Sequence, residues 1–231
     1  VTVTGGAGAE AANYSVKVES IAKAASYKLE ASETNGTVYI NNTKVELGTA
    51  KTDAEKVKLI NEALKDKGVT AKYSDFEKGI VLTTTKLGSD ETISFTTQAP
   101  KEKQESSNYF ENLIKDFEAD NGVTTDSGKK EFTFKVDGTE VKVDCTDGIS
   151  EDKIKSAMKK TGMDIVEEKS GGFKITYPAD SNAVKANGSD CRATITKDGK
   201  TYEVKGNKTN NITLDGVTFK FNNVTKEDAQ I

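Results

Sequence analysis

Thr37-Val38-Tyr39-Ile40-Asn41-Asn42-Thr43-Lys44-Val45-Glu46-Leu47 carries the pattern from which the rest of the chain can be read. Apolar residues alternate on both sides of Asn41-Asn42, and asparagine tolerates the positive φ of a tight turn, so the stretch predicts a β-hairpin. A two-residue turn sets Val38 opposite Val45 and Tyr39 opposite Lys44. Val38, Ile40, Val45 and Leu47 then share one face. About 95 residues further on the pattern returns as Phe132-Thr133-Phe134-Lys135-Val136-Asp137-Gly138-Thr139-Glu140-Val141-Lys142-Val143. Here Asp137-Gly138 makes the turn, Phe134 faces Val141, and Lys135 faces Glu140 on the wet side as an opposite-charge pair.

Each hairpin is followed by a helix signature. Thr52-Asp53-Ala54-Glu55 is a capping box, in which the threonine hydroxyl accepts from the Glu55 amide while the carboxylate reaches back. Val57, Ile60 and Leu64 recur at helical spacing and Gly68 closes the element. In the later copy Ser150 is the cap, Ile154 and Met158 form the stripe, and Gly162 ends it. Alternating strands follow each glycine: Val69–Tyr73 and Gly79–Leu82 in the first copy, Met163–Val166 and Gly171–Tyr177 in the second. Each copy therefore predicts a ββ-α-ββ unit with one helix over a small antiparallel sheet, an α+β plan. Between the copies, Phe110, Leu113, Ile114 and Phe117 lie on one helical stripe that Asn121-Gly122 stops.

The chain ends carry strands of their own. Asn13–Ile21 alternates as a half-buried strand, and Ala193–Val204 reads as a hairpin turning at Asp198-Gly199 with Ile195 opposite Tyr202. Asn211–Phe221 supplies another pair of strands. A lone N-terminal strand needs partners, and the C-terminal hairpins are the candidates. The expected fold class is α+β: a discontinuous, mostly antiparallel β domain made of residues 1–33 plus 184–231. Two small ββ-α-ββ domains are inserted in it, the first over 34–98 and the second, with the connecting helix, over 99–183.

Composition narrows the chemistry. The chain has 231 residues, 33 Lys and Arg against 37 Asp and Glu, no His and no Trp, and a formal net charge of −4. Lacking histidine, it has neither the usual general base at neutral pH nor the commonest metal ligand, and a Ser-His-Asp relay is excluded. The charge argues against a nucleic-acid partner. Apolar runs of a few residues do not span a membrane. Hydrophobic residues make up 34%, against ~45–50% in an average chain when glycine is counted, which favours several small domains over one large core. The chain opens at Val1 without a signal-peptide pattern, as an excised portion of a longer protein would.

The remaining catalytic candidates have plainer explanations. Asp53, Glu55, Glu151 and Asp152 sit at helix starts, where the macrodipole favours acids. Asp137, Asp147, Asp198 and Asp215 precede glycine as turn residues do. Gly5-Gly6-Ala7-Gly8 lacks the Lys-Ser/Thr of a phosphate cradle and reads as a flexible linker. No stretch has calcium-loop spacing, the lysines read as the solvated face of strands, and no cofactor is expected. Cys145 and Cys191 are the chain's two cysteines. A disulfide between them would close a loop of about 46 residues and add about 3–4 kcal/mol in the chain-entropy model, but two separate buried thiols are favoured. Asn-X-Ser/Thr triplets from Asn13 to Asn223 arise by chance in so Asn- and Thr-rich a chain.

Three pieces of sequence resemble one family. Ile60-Asn61 in the first helix, with Gly68-Val69-Thr70-Ala71 after it, is similar to the flagellin hook IN motif, named for such an Ile-Asn pair. Asn13-Tyr14-Ser15-Val16-Lys17-Val18-Glu19-Ser20-Ile21 resembles the stretch that opens the outer domains of flagellar filament cap proteins, the type 2 hook-associated proteins. Ala193-Thr194-Ile195, Asp198-Gly199 and Asn211–Phe219 resemble the closing stretch of that family. The second copy departs from the motif, with Ala157-Met158 where an Ile-Asn pair would stand. The resemblance implies an extracellular, non-catalytic structural role at the filament tip. Its implied partner is flagellin, and its implied self-association is that of a full-length protein with coiled-coil ends. The alternative is a surface adhesin, or an outer insertion domain of a flagellin, that binds host glycans or proteins. An exposed aromatic platform would favour the alternative, but the seven tyrosines fall mostly where strands or helices pack them. A hydrolase would need two convergent, partly buried carboxylates.

Overall fold

A computed structural model describes residues 1–9, 12–120, 123–124, 128, 130–169, 171–225 and 229–230. Among these the protein is mostly antiparallel β structure with three α-helices: α1 (Asp53–Ala63), α2 (Tyr109–Asp120) and α3 (Glu151–Lys160). The chain forms two compact units. One comprises Val1–Ser26, Thr84–Glu91 and Asn187–Ile231; the other comprises Tyr27–Thr83 and Thr92–Ala186.

The unit made of the chain ends contains two sheets. Strand Tyr14–Ser20 lies between Cys191–Lys197 and Ala229–Gln230, with Lys200–Asn207 beyond. Val16 stands directly opposite Ile195, and Ile195 opposite Tyr202. The second sheet places Thr2–Gly5 beside the hairpin Asn211–Leu214/Val217–Lys220. Alternation along these strands buries Val16, Val18, Ala193, Ile195, Val217 and Phe219 in one core, where Tyr14 meets the Phe219 ring edge-on at 5.0 Å. The glycine run is no free linker. Gly5 ends a strand, the Gly6 amide donates to the Gly216 carbonyl at 2.8 Å, and Ala9 donates back to Gly6. Pairing of Thr4 with Thr218 brings the run against the turn at Gly216 and holds it there.

In the other unit the hairpins have the expected registers: Val38 pairs with Val45, Tyr39 with Lys44, Phe134 with Val141 and Lys135 with Glu140. Asn41 and Asn42 have φ of 44° and 58°, and Asp137 and Gly138 of 46° and 85°. Two successive positive φ values are the type I′ geometry whose twist matches the flanking strands. The capping box at Thr52 and Glu55 is formed, and the Ser150 hydroxyl caps α3. At the end of α3, Gly162 donates to Lys159 and Met163 to Met158, a Schellman motif around a glycine at φ 83°. The expected stop of α2 at Asn121-Gly122 lies outside the described residues.

Strand grouping differs from one sheet per helix. Hairpin Thr37–Ile40/Thr43–Glu46 joins Thr92–Thr96 and Val184–Asn187, whereas Val69–Ser74 and Gly79–Thr84 join Ser26–Lys28. Around α3, Lys130–Val136 and Thr139–Asp144 form one sheet with Val123–Thr124, and Asp164–Glu167 and Phe173–Tyr177 form another with Lys101–Glu105. Extra strands complete each hairpin because a two-stranded ribbon alone is marginal in water. The chain passes between the two units at 26/27, 83/84, 91/92 and 186/187. Tyr27 donates to Glu33 and the Leu29 amide to Ile80, which ties residues 27–33 to the inserted unit.

Candidate functional site

The Ile60-Asn61 pair acts between helix and strand. Ile60 is fully buried on the inner face of α1. Asn61, one position on, uses its amide as a strand would: Nδ2 donates to the Ala71 carbonyl at 2.9 Å and Oδ1 accepts from the Ala71 N–H at 2.7 Å. Helix α1 is thereby stitched to strand Val69–Ser74. Replacing Asn61 with alanine leaves both polar groups of Ala71 unpaired beside a core, an expected loss of about 2 kcal/mol in chemical denaturation. Aspartate at 61 keeps only the acceptor and places a carboxylate against the carbonyl. In the later copy Ala157 and Met158 stand at the corresponding place and are buried as apolar packing.

The Asn41-Asn42 turn joins the two copies. Asn41 Nδ2 donates to the Thr92 carbonyl at 2.8 Å, and its Oδ1 accepts from the Ser94 amide at 2.7 Å. Asn42 Nδ2 reaches the Gly162 carbonyl at 3.0 Å, the Asp164 carboxylate at 3.2 Å and the Thr176 carbonyl at 3.5 Å. Desolvation raises the Asp164 carboxyl above the usual carboxylate range, and the Asn42 hydrogen bond opposes that rise. The equivalent turn residue in the second copy, Asp137, accepts from the Tyr177 hydroxyl at 2.8 Å and pairs with Lys101 at 3.5 Å. The tyrosine's hydrogen bond and then the lysine's charge hold the Asp137 carboxyl below its ordinary value. On the side of the core towards α2, Phe110 meets Phe173 edge-on, and Lys155 lies over both rings while pairing with Glu151.

Each residue singled out on the sequence has a local partner or place. Thr52 and Glu55 cap α1, and Asp137, Asp198 and Asp215 occupy left-handed turn positions. Among the described residues no group of three His, Cys, Asp or Glu side chains is placed to hold a metal ion. Cys145 and Cys191 are both buried free thiols, one in each unit's core, and no bridge joins them. Burial raises both thiols above their usual pKa. Ellman's reagent at neutral pH is accordingly expected to leave the native protein unlabelled and to count both thiols after unfolding.

Two phenols are shifted far enough to read in a titration. Burial, then the Glu33 carboxylate, pushes Tyr27 up to about 12, and burial, then the charge of Glu105, pushes Tyr109 up to about 12. A phenol in an unfolded chain titrates near ~10. The fold thus holds both protons more tightly than the open chain does. The stability this contributes is complete below pH ~10 and disappears as pH rises towards 12. Absorbance at 295 nm is expected to show phenol ionisation extending to about pH 12, together with alkaline loss of structure.

Two surface features escaped the sequence reading. Strands Val69–Ser74 and Gly79–Thr84 are joined at a tip where Phe76 is 100% exposed and Tyr73 is 44% exposed. The strand pattern draws attention to the flanks of such a hairpin, and Phe76 falls in its turn. The second feature is a cleft of about 300 Å³ floored by Met163, Tyr177 and Pro178, with Val184 on its wall and Lys160 and Ser181 at its mouth.

No family model matches the chain, and no curated protein matches it. Among solved structures it is similar to the D2–D3 domains of the flagellar cap protein FliD from Serratia marcescens, in two crystal forms. Identity is 18% in both, over all of this chain and 97% of that one, with TM-scores of 0.43 and 0.45. It is likewise similar to the D2–D3 domains of FliD from Escherichia coli, at 15% identity over 99% of this chain and 90% of that one, with a TM-score of 0.44.

Proposed function

We propose that the chain forms outer domains of a bacterial flagellar filament cap. It is extracellular and sits at the distal tip, where it assists exported flagellin into place by presenting a scaffold and performs no catalysis. The observation that carries this reading is the Ile60-Asn61 pair at work between α1 and its following strand, in a unit inserted between chain ends that pair through Val16 and Ile195. The division into a base and two ββ-α-ββ modules, over 34–98 and 99–183, belongs to the same proposal. Its test is a deletion strain: flagellin is expected to escape into the medium and filaments to shorten, with both restored by the intact gene. Normal filaments in the deletion strain would refute the reading. The 231-residue chain by itself is expected to be mostly monomeric at micromolar concentration, as light scattering would show.

A second reading, an adhesin that binds host glycans, is favoured by the exposed aromatic pair Tyr73 and Phe76, since aromatic faces stack on sugar rings. A glycan array probed with the chain separates the two, because a scaffold has no reason to select one glycan.

A further inference from the structure

Among the described residues Phe76 is fully exposed and nothing occupies the cleft. A phenylalanine bare to solvent gains nothing where it stands, because burying a side chain of its size is worth several times thermal energy. Aromatic anchors of this kind are what interfaces use as hot spots. The cleft has a buried apolar floor, and no residue of the Val69–Thr83 hairpin that carries Phe76 is among its lining. Its size is right for the ring: an apolar cavity of ~150 Å³ holds a benzene molecule, and here about 300 Å³ is open. The charges also suit one another. Asp75 and Glu77 flank Phe76 and can meet Lys160 at the mouth, while Lys78 beside them can meet Glu140 or Asp180.

We propose that Phe76 of one copy docks in the Met163–Tyr177–Pro178 cleft of a second copy. Knob and hole lie on different surfaces, so the contact is heterologous and propagates head to tail, closing into a ring when the rotation allows. It deepens the cap reading and rests on it, since one aromatic anchor buries far less than the ~800 Å² per partner of a stable interface. The contact is therefore weak alone and counts when copies are already held side by side.

The test uses the 231-residue chain with benzoylphenylalanine in place of Phe76, illuminated at a protein concentration on the order of 1 mM. Cross-links between copies are expected to map to residues 138–140 and 160–184. In sedimentation velocity, Phe76→Ala and the cleft-plugging Ser181→Trp are each expected to weaken self-association by about 10- to 100-fold. Both positions are exposed, so thermal unfolding should be unchanged in both variants. Cross-links elsewhere on the second copy, no cross-link between copies, or equal association in wild type and both variants would overturn the proposal. Contact and cap reading fail separately: cross-linking without a flagellin-retention defect in the deletion strain keeps the contact and removes the cap, and the converse keeps the cap alone.

Discussion

Gly188→Ala is expected to unfold the unit built from the chain ends, at a cost above about 4 kcal/mol. Three backbone segments meet at this glycine. The Gly88 amide donates to the Lys23 carbonyl at 3.1 Å, Ser189 donates to the same carbonyl at 3.0 Å, and Gly188 donates to Glu91 at 2.7 Å. A Cβ at 188 would overlap the Gly88 carbonyl oxygen and stand 2.6 Å from that of Lys23. Both obstacles are main chain held by hydrogen bonds, so neither can swing aside as a side-chain end would. The segment 84–91 is fixed further by Asp190, whose carboxylate accepts from the Ser89 amide at 2.6 Å and hydroxyl at 2.7 Å. Relief of the overlap therefore requires the whole crossing to open. Urea titration followed by circular dichroism checks this, with Gly36→Ala as control. Gly36 has φ 77° and open space around it, so only the left-handed strain of roughly 1–2 kcal/mol applies there. Equal midpoints for the two variants would show that crowding at the crossing is not what requires glycine.

Asn41→Ala is expected to cost about 3 kcal/mol. Strand Thr37–Ile40 pairs with Thr92–Thr96 only as far as Ile40 opposite Phe95. Beyond that point the Asn41 amide continues the ladder, donating to Thr92 and accepting from Ser94. Thr92 and Ser94 are buried, so water does not replace the lost partner. Alanine also tolerates φ 44° less well than asparagine. Two further variants separate these effects: glycine removes the backbone strain and the amide together, and aspartate keeps the acceptor alone. If glycine restored full stability, backbone strain would account for the loss and the amide would not. Denaturant midpoints for the three variants give the ranking.

What could be read from the residues, and what could not, follows one line. Turns declared by Asn-Asn or Asp-Gly, caps declared by Thr52 and Ser150, and stripes declared by Ile154 and Met158 are local signals, and local geometry met them. The partnership of Val16 and Ile195 was legible because a half-buried strand at one end needed an equal at the other. Lys101–Glu105 was not, since four of its five side chains are exposed and two are lysines. An edge strand guarded by charge shows no alternation. Thr92–Thr96 failed for the opposite reason: all five residues are buried, and three of them are Thr or Ser. It is the side chain of Asn41 that holds the backbone of this run. The stitching amides share this difficulty. Asn61 on Ala71 and Asn210 on Ala22 each bind both polar groups of one distant residue, and composition records them only as polar residues.

The second unit leaves the first after Ser26 and rejoins it at Asn187, with Thr84–Glu91 returned to the first between, and this path decides the order in which the molecule yields to a pull. Tension applied between the two termini first meets the pairing of Thr2 with Lys220 and of Ser15 with Gln230, both arranged to peel apart one rung at a time. The inserted unit feels no stretching along the chain until Tyr14–Ser20 parts from Cys191–Lys197. Drag transmitted through the termini would be spent on the base while the helix-bearing part kept its shape.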